Sequence, residues 1–324
     1  MNGPKLLPVQ FQTESNSYSD ALFGVLSAKR WFHLPKPMLA GMTGACFRFS
    51  VHRQLLPDSP TAYNWMAEHV VACDLIGITA SQWYGFSFSP TFPLYQRQAI
   101  LDIISSIDRG TAAILWKDRF VIVNGYDAEQ QLFYYLDGQS LDPQELPYTE
   151  LGLNASPYFY CQIYENRFET ETLRLIKESY MQAVFRAETP DIMLPEAEYA
   201  CGLDAYDAIL SALQSCSYHP EGAYATFFCY AAAKRNAAEY MQAAVAYWPA
   251  SQDVANHYAQ LSIIYEEILH SEQMNRLPRA LSAPDGRFID LVRAAQAAET
   301  AAVQSIRELL REPISNRFHD IGLR

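Results

Sequence analysis

Apolar positions recur three and four residues apart in the first and last stretches of the chain and alternate with polar positions in the middle. Between residues 17 and 31, Leu22, Val25 and Leu26 share one face of a predicted helix, with Ser17 or Ser19 placed to cap its first turn. A short extended segment over residues 6–11 comes before it. The run 41-GMTGACFRFSV-51 passes from two glycines into strand-like alternation. Helices are predicted over residues 61–73, behind Pro60, and over 94–107, stopping at Gly110. The period then changes to two: 111-TAAILW-116, 119-RFVIVNGY-126, 131-QLFYYLD-137 and 157-PYFYCQIYE-165 predict four strands of an antiparallel sheet.

Beyond Glu165 the helical period returns. Helices are predicted over residues 169–185, 203–214, 224–247, 252–272 and 287–310, with proline-bearing loops between them. The fold class expected is therefore α+β: helices followed by an antiparallel sheet in residues 1–165, then an all-α helical domain in 166–324. Alanines at 231–233, 237, 238, 243 and 244 would let neighbouring helices approach closely. The stretch 83-WYGFSFSPTFPLY-95, interrupted by glycine and prolines, predicts no regular element; it reads as a pocket wall or as packing under a loop. Alternation places Tyr158, Tyr160 and Tyr164 on one face of their strand.

Charge and composition narrow the function classes. The net charge of −12, from 36 acidic and 24 basic residues, comes with no basic cluster longer than a dipeptide, so a nucleic-acid partner is not expected. The first residues lack the apolar core of a signal peptide, and no run reaches membrane-spanning length, so a cytoplasmic location away from membranes is expected. The cysteines at 46, 73, 161, 201, 216 and 229 form no CxxC pair, which points to buried thiols rather than zinc or disulfides. Glu267 and His270 make one Glu-x-x-His, where a di-iron bundle needs two, so no metal and no other cofactor is predicted.

The order of helix, further helices, a strand running into 125-GYD-127 and a next strand ending at Asp137 resembles the papain-like fold, and within it the bacteriocin-processing double-glycine peptidases and the butirosin-type acyltransferases. The run 41-GMTGACFR-48, the pair 115-LW-116 and helical segments such as 202-GLDAYDAIL-210, 234-KRNAAEYM-241 and 254-VANHYAQLSIIYEEI-268 extend the resemblance over most of the chain. It implies a cysteine at the start of the first helix, a histidine at the head of the strand leading into GYD and an aspartate ending the next strand. Helix terminus and imidazole would then favour thiolate while the carboxylate orients the imidazole.

Carried onto this sequence, the nucleophile position falls at Ser17. The histidine position falls at Arg119, or Phe120 one residue on, and the orienting carboxylate is Asp137. Gln12, or Gln10, matches the oxyanion-hole glutamine. Guanidinium stays protonated near neutrality and is no general base, so a charge-assisted Arg119–Asp137 pair is expected in place of the dyad.

The resemblance thus implies a diverged papain-like protein without Cys-His catalysis, a pseudoenzyme serving as a binding or accessory component in natural-product or peptide-maturation chemistry. Its partner would be a small molecule, a peptidyl or acyl group, or an acyl carrier protein. The alternative is an active acyltransferase or amide hydrolase using Ser17, or Cys46 as substitute nucleophile. Ser17 as a helix cap, Asp137 as a turn residue and Cys46 as a small apolar group stand beside these roles, as does a structural protein or homodimer joined through the helical half.

Overall fold

The computed structural model describes residues 3–14, 17–140, 142–277 and 284–311. In chain order it begins with β1 (Lys5–Leu6), α1 (Ser17–Ala28), α2 (Lys36–Met42), β2 (Ser50–His52), α3 (Trp65–Leu75) and β3 (Ile78–Phe86). Next come α4 (Phe92–Asp108), β4 (Ala113–Trp116), β5 (Phe120–Asp127), β6 (Leu132–Leu136), β7 (Gln144–Pro147) and β8 (Tyr158–Arg167). The remainder is α5 (Thr172–Glu188), β9 (Tyr199–Cys201), α6 (Asp204–Gln214), α7 (Pro220–Ala244), α8 (Gln252–Leu269), α9 (Glu272–Arg276) and α10 (Gly286–Leu310). The α+β class holds.

The chain forms two units. The first comprises residues 1–45 and 63–171, and the second residues 46–62 and 172–324. The sequence expectation of a single cut at 165 differs from this in two ways: the boundary comes after Glu171, and the excursion at 46–62 belongs to the second unit. There β2, at the end of the run expected to be strand-like, pairs antiparallel with β9, Val51 opposite Ala200, so a strand sits in the 166–324 region expected to be all helix. A pairing between segments so far apart in sequence leaves no local signature.

In the first unit an antiparallel sheet runs β3-β8-β4-β5-β6-β7, with β1 added against the second half of β5. One face packs on α4, whose Phe92, Ala99, Ile103 and Ile107 meet Leu115, Val121, Val123, Phe133 and Ile163 in a continuous apolar core. On the opposite face lie α1 and α3. Gly24 of α1 has to be glycine because a Cβ there would sit 2.9 Å from both the Gln10 carbonyl oxygen and Ile122 Cδ1.

The four predicted strands appear as β4, β5, β6 and β8. The stretch expected to be irregular supplies β3 in its first residues and α4 from Phe92. The expectation failed because Gly and Pro were read as breaking the whole stretch, whereas β3 simply ends at Phe86, ahead of Pro90. Helix α2 was missed for the opposite reason: Met38 to Met42 are all buried, so no polar face marks a period.

In the second unit α7, α8 and α10 pack together, with Ala231, Ala237 and Ala244 of α7 fully buried. Helix ends are closed by side chains: His219 accepts from Gly222 N, Ser271 from Met274 N and Asp285 from Phe288 N. Among the described residues no helix is long and apolar enough to cross a membrane.

Candidate functional site

The N-terminal segment, α1, the head of β5 and the end of β6 meet in the first unit. Residues 11–14 run between the first turn of α1 and the loop after β6. Thr13 N donates to Gly138 O at 3.2 Å, while Glu14 N (2.6 Å) and Thr13 Oγ1 (3.2 Å) donate to Asp20 Oδ2. Gly138 has φ +76°, and a Cβ on it would lie 2.9 Å from Thr13 N, so glycine is needed both for the turn and for the close approach. Asp20 is 4% exposed and forms an ion pair with Lys36, which also reaches Glu14 at 3.3 Å. Burial pushes the Asp20 carboxyl up, and the pull of Lys36 and Glu14 N only partly offsets it.

The proposed site positions fall along this seam. Gln12 is exposed in the segment joining Phe11 to Thr13. Ser17 opens α1, and its side chain lies outside the described residues. Asp137 follows β6 directly. Its Oδ1 accepts from Gln139 N and Ser140 N, both at 2.9 Å, and its Oδ2 accepts from Gln144 Nε2 at 2.6 Å. This is an Asx turn, the bland reading of that residue.

Arg119 stands at the head of β5, in a tight turn closed by Lys117 N donating to Arg119 O at 2.7 Å. Asp118 in that turn takes φ +53°, and its carboxylate accepts from Ala155 N and Ser156 N at 2.9 Å. The expected ion pair does not form: Arg119 and Asp137 do not come within 4.0 Å as charged groups, and Arg119 acts on the carboxylate only through space. Burial pushes Asp137 up, but the Ser140 and Gln139 amides, Gln144 and the Arg119 charge together outweigh it and hold the carboxyl below its ordinary value. With its oxygens committed to the turn, Asp137 has no imidazole to orient.

Behind the surface lies a cluster of buried aromatic side chains. Phe120, the alternative register for the family's histidine, is 1% exposed and points into an aromatic cluster. It makes edge contacts with Tyr18, His69, Trp65 and Trp116, with centroids 5.0 to 5.3 Å away. Tyr18, the residue after Ser17, stacks on His69 at 3.3 Å and 3°. His69, fully buried on α3, faces Tyr160 OH with Nδ1 at 2.8 Å and Tyr63 OH with Nε2 at 3.0 Å. Gln162 Oε1 accepts from Tyr18 OH at 2.9 Å and Tyr164 OH at 3.0 Å, and its Nε2 donates to the His69 carbonyl at 3.3 Å.

Burial pushes the Tyr18, Tyr160 and Tyr164 hydroxyls well above the usual tyrosine range, so these hydroxyls keep their protons at physiological pH. This cluster was not singled out from the sequence. The one available signal was the shared parity of Tyr158, Tyr160 and Tyr164, which Gln162 completes. Only Tyr158, 48% exposed, turns to solvent.

Cys46, the substitute nucleophile, belongs to the second unit. It is 3% exposed in a single 3-10 turn (Ala45–Phe47), and burial, outweighing the Lys234 and Arg186 charges, pushes its thiol up to about 12. That environment suppresses thiolate rather than favouring it. A surface groove of about 570 Å³ in the second unit, lined by Asp207, Leu210, Ser211, Gln214, Ser215 and Arg293, contains none of the proposed site residues. Among the described residues no three His, Cys, Asp or Glu side chains gather as a metal set. No protein-family model and no curated protein matches the chain.

Proposed function

We propose that this protein is a non-catalytic relative of the papain-like butirosin-type acyltransferases and double-glycine peptidases, acting as a binding or accessory component in natural-product or peptide maturation. The observation that carries this reading is the environment of Phe120. Position 119 holds a guanidinium, position 120 holds a buried ring packed against Tyr18 and His69, and Asp137 spends its carboxylate on its own turn. Neither position 119 nor position 120 offers a base for a serine at the head of α1, and an unassisted hydroxyl attacks amides and thioesters too slowly to be useful. The reading assigns the protein a cytoplasmic location and an acyl or peptidyl group, free or on an acyl carrier protein, as ligand. It requires no cofactor.

The test is turnover. The full chain incubated with acyl thioesters and with peptide substrates should give no more product than buffer. Robust turnover that Ser17→Ala or Cys46→Ala abolishes would establish the rebuilt-enzyme alternative instead.

A further inference from the structure

One end of the first unit's sheet carries large apolar side chains that its core does not use. The edge strand β3 stops at Phe86, and β8 starts opposite it at Tyr158. Ser87 N donates to Pro157 O there at 2.9 Å, joining the turn after β3 to the loop before β8, and Gln96 Nε2 of α4 donates to Leu151 O of the same loop at 2.8 Å. On these neighbouring pieces Phe88 is 73% exposed, Leu94 70%, Leu153 51%, Tyr158 48% and Phe86 44%. The Phe86 ring lies 5.2 Å from that of Phe88 and 5.8 Å from that of Tyr158 between centroids, and Trp65 stands 5.7 Å from Tyr158 on its other side. Single exposed apolar residues are ordinary, but a contiguous group of them marks an interaction site. Two uncharged stretches meet at this end: 75–96, running through β3 into α4, and 151–164, running into β8. Beside them stand Glu150 and the turn at 117–119, whose Asp118 carboxylate is tied to Ala155 N and Ser156 N at 2.9 Å and is flanked in sequence by Lys117 and Arg119.

We propose that this end of the first unit docks on the surface of a zwitterionic lipid bilayer, with Phe88 and Leu94 entering the boundary between headgroups and acyl chains. Three features select a bilayer over a folded partner. First, the group is convex. Its two most exposed members stand on the turn after β3 and the first turn of α4, and a protein partner would need a hollow matched to each, whereas a fluid interface closes around any protrusion. Second, the rings are of the kind that settles at headgroup depth: Tyr158 and Trp65 combine an apolar body with a polar edge, and the phenylalanines beside them supply the deeper contacts. Third, the charges fit a headgroup that carries both signs. The inserting stretches are uncharged in a chain of net charge −12, and the flanking set of Lys117, Arg119, Asp118 and Glu150 is balanced, so the surface is neither drawn to anionic lipid nor repelled by phosphocholine. The sequence expectation of a location away from membranes rested on the lack of a spanning segment, and shallow docking of loop side chains needs none.

This inference is independent of the non-catalytic reading, since docking on lipid requires neither turnover nor its absence. The full chain mixed with phosphatidylcholine vesicles should co-sediment with them, and raising salt from about 0.1 M to about 1 M should leave the bound fraction unchanged, because apolar insertion is not screened. Phe88→Asp should weaken vesicle binding by about tenfold or more while keeping the circular dichroism spectrum, since the side chain it replaces is largely in solvent. Leu94→Asp should do the same, and the fold tolerates it because a carboxylate in the first turn of α4 is favoured by the helix dipole. Ile263→Asp, at an exposed apolar site in the second unit, should leave binding unchanged. A wild-type chain that stays in the supernatant, binding that needs phosphatidylserine or falls with salt, or equal loss in all three variants overturns the proposal. So does self-association without vesicles that Phe88→Asp abolishes, which would assign the same end to a second copy of the chain.

Discussion

Each unit buries a polar cluster, and the two are built from different chemistry. In the first unit His69, Tyr18, Tyr160 and Gln162 tie α1, α3 and β8 together through side-chain hydrogen bonds and ring contacts, with no carboxylate among them. In the second, Lys234 of α7 and Glu299 of α10 form a buried ion pair, to which Tyr206 of α6 adds a 2.6 Å bond and Tyr265 of α8 a 3.3 Å bond to the Tyr206 hydroxyl. Lys234 Nζ also sits 4.4 Å above the Phe49 ring, which shields the charge without competing for it. Such a hydrogen-bonded network loses its members one bond at a time. An ion pair loses both partners at once, because the surviving charge stays buried and uncompensated. The helical unit therefore concentrates its vulnerability in two residues, and the sheet unit spreads its own over many.

The largest expected effect tests that contrast directly. Glu299→Ala should cost about 3–5 kcal/mol of unfolding free energy in urea titrations, while Lys234→Met combined with Glu299→Leu should come close to wild type. A double variant as unstable as the single one would mean that the charges themselves are indispensable. Next, His69→Leu should cost about 2–3 kcal/mol, through lost ring stacking and the Tyr63 hydroxyl left without its imidazole, with Tyr160 partly protected by its 3.0 Å bond from Gln82 Nε2. A loss equal to that of Glu299→Ala would erase the distinction between the units.

The smallest effect concerns pH and the Asp20 carboxyl of α1. Because the folded-state pKa of Asp20 is raised above the usual 3.8, its contribution to stability is fully present below that value and is lost as pH rises through the folded pKa. Asp20→Asn should remove this loss, so its melting temperature should gain on wild type as pH is raised from the acid range. Parallel melting curves across that range would show that Lys36 already compensates the carboxylate completely.

The fold was legible where period and burial agree. The strands β4, β5, β6 and β8 followed from their short apolar and aromatic runs between turns, although both faces of β4 and β5 are buried, and the long helices followed from amphipathic spacing. Helix α2 and strand β9 were not legible: the first is buried from Met38 to Met42, and the second pairs with β2, a partner that only the folded chain brings to it. The N-terminal segment, α1 and the loop after β6 meet through Thr13 N on Gly138 O and Glu14 N on Asp20. The roles expected of their side chains were less readable. Asp137 could orient a partner or close a turn, and only the positions of the Gln139 and Ser140 amides decide for the turn. Arg119 could pair with it or act at a distance, and the turn at Asp118 sets that distance.

The sequence by itself determined the α+β class, the absence of a histidine at positions 119 and 120, the charge balance and the uncharged run around β3, since these depend on residue identity and local period alone. Only the tertiary structure decided that His69 is locked between tyrosines, that Cys46 is sealed from solvent, and that β3 lies at an edge. Burial and strand order are set by which distant segments pack together, and no local pattern encodes that choice.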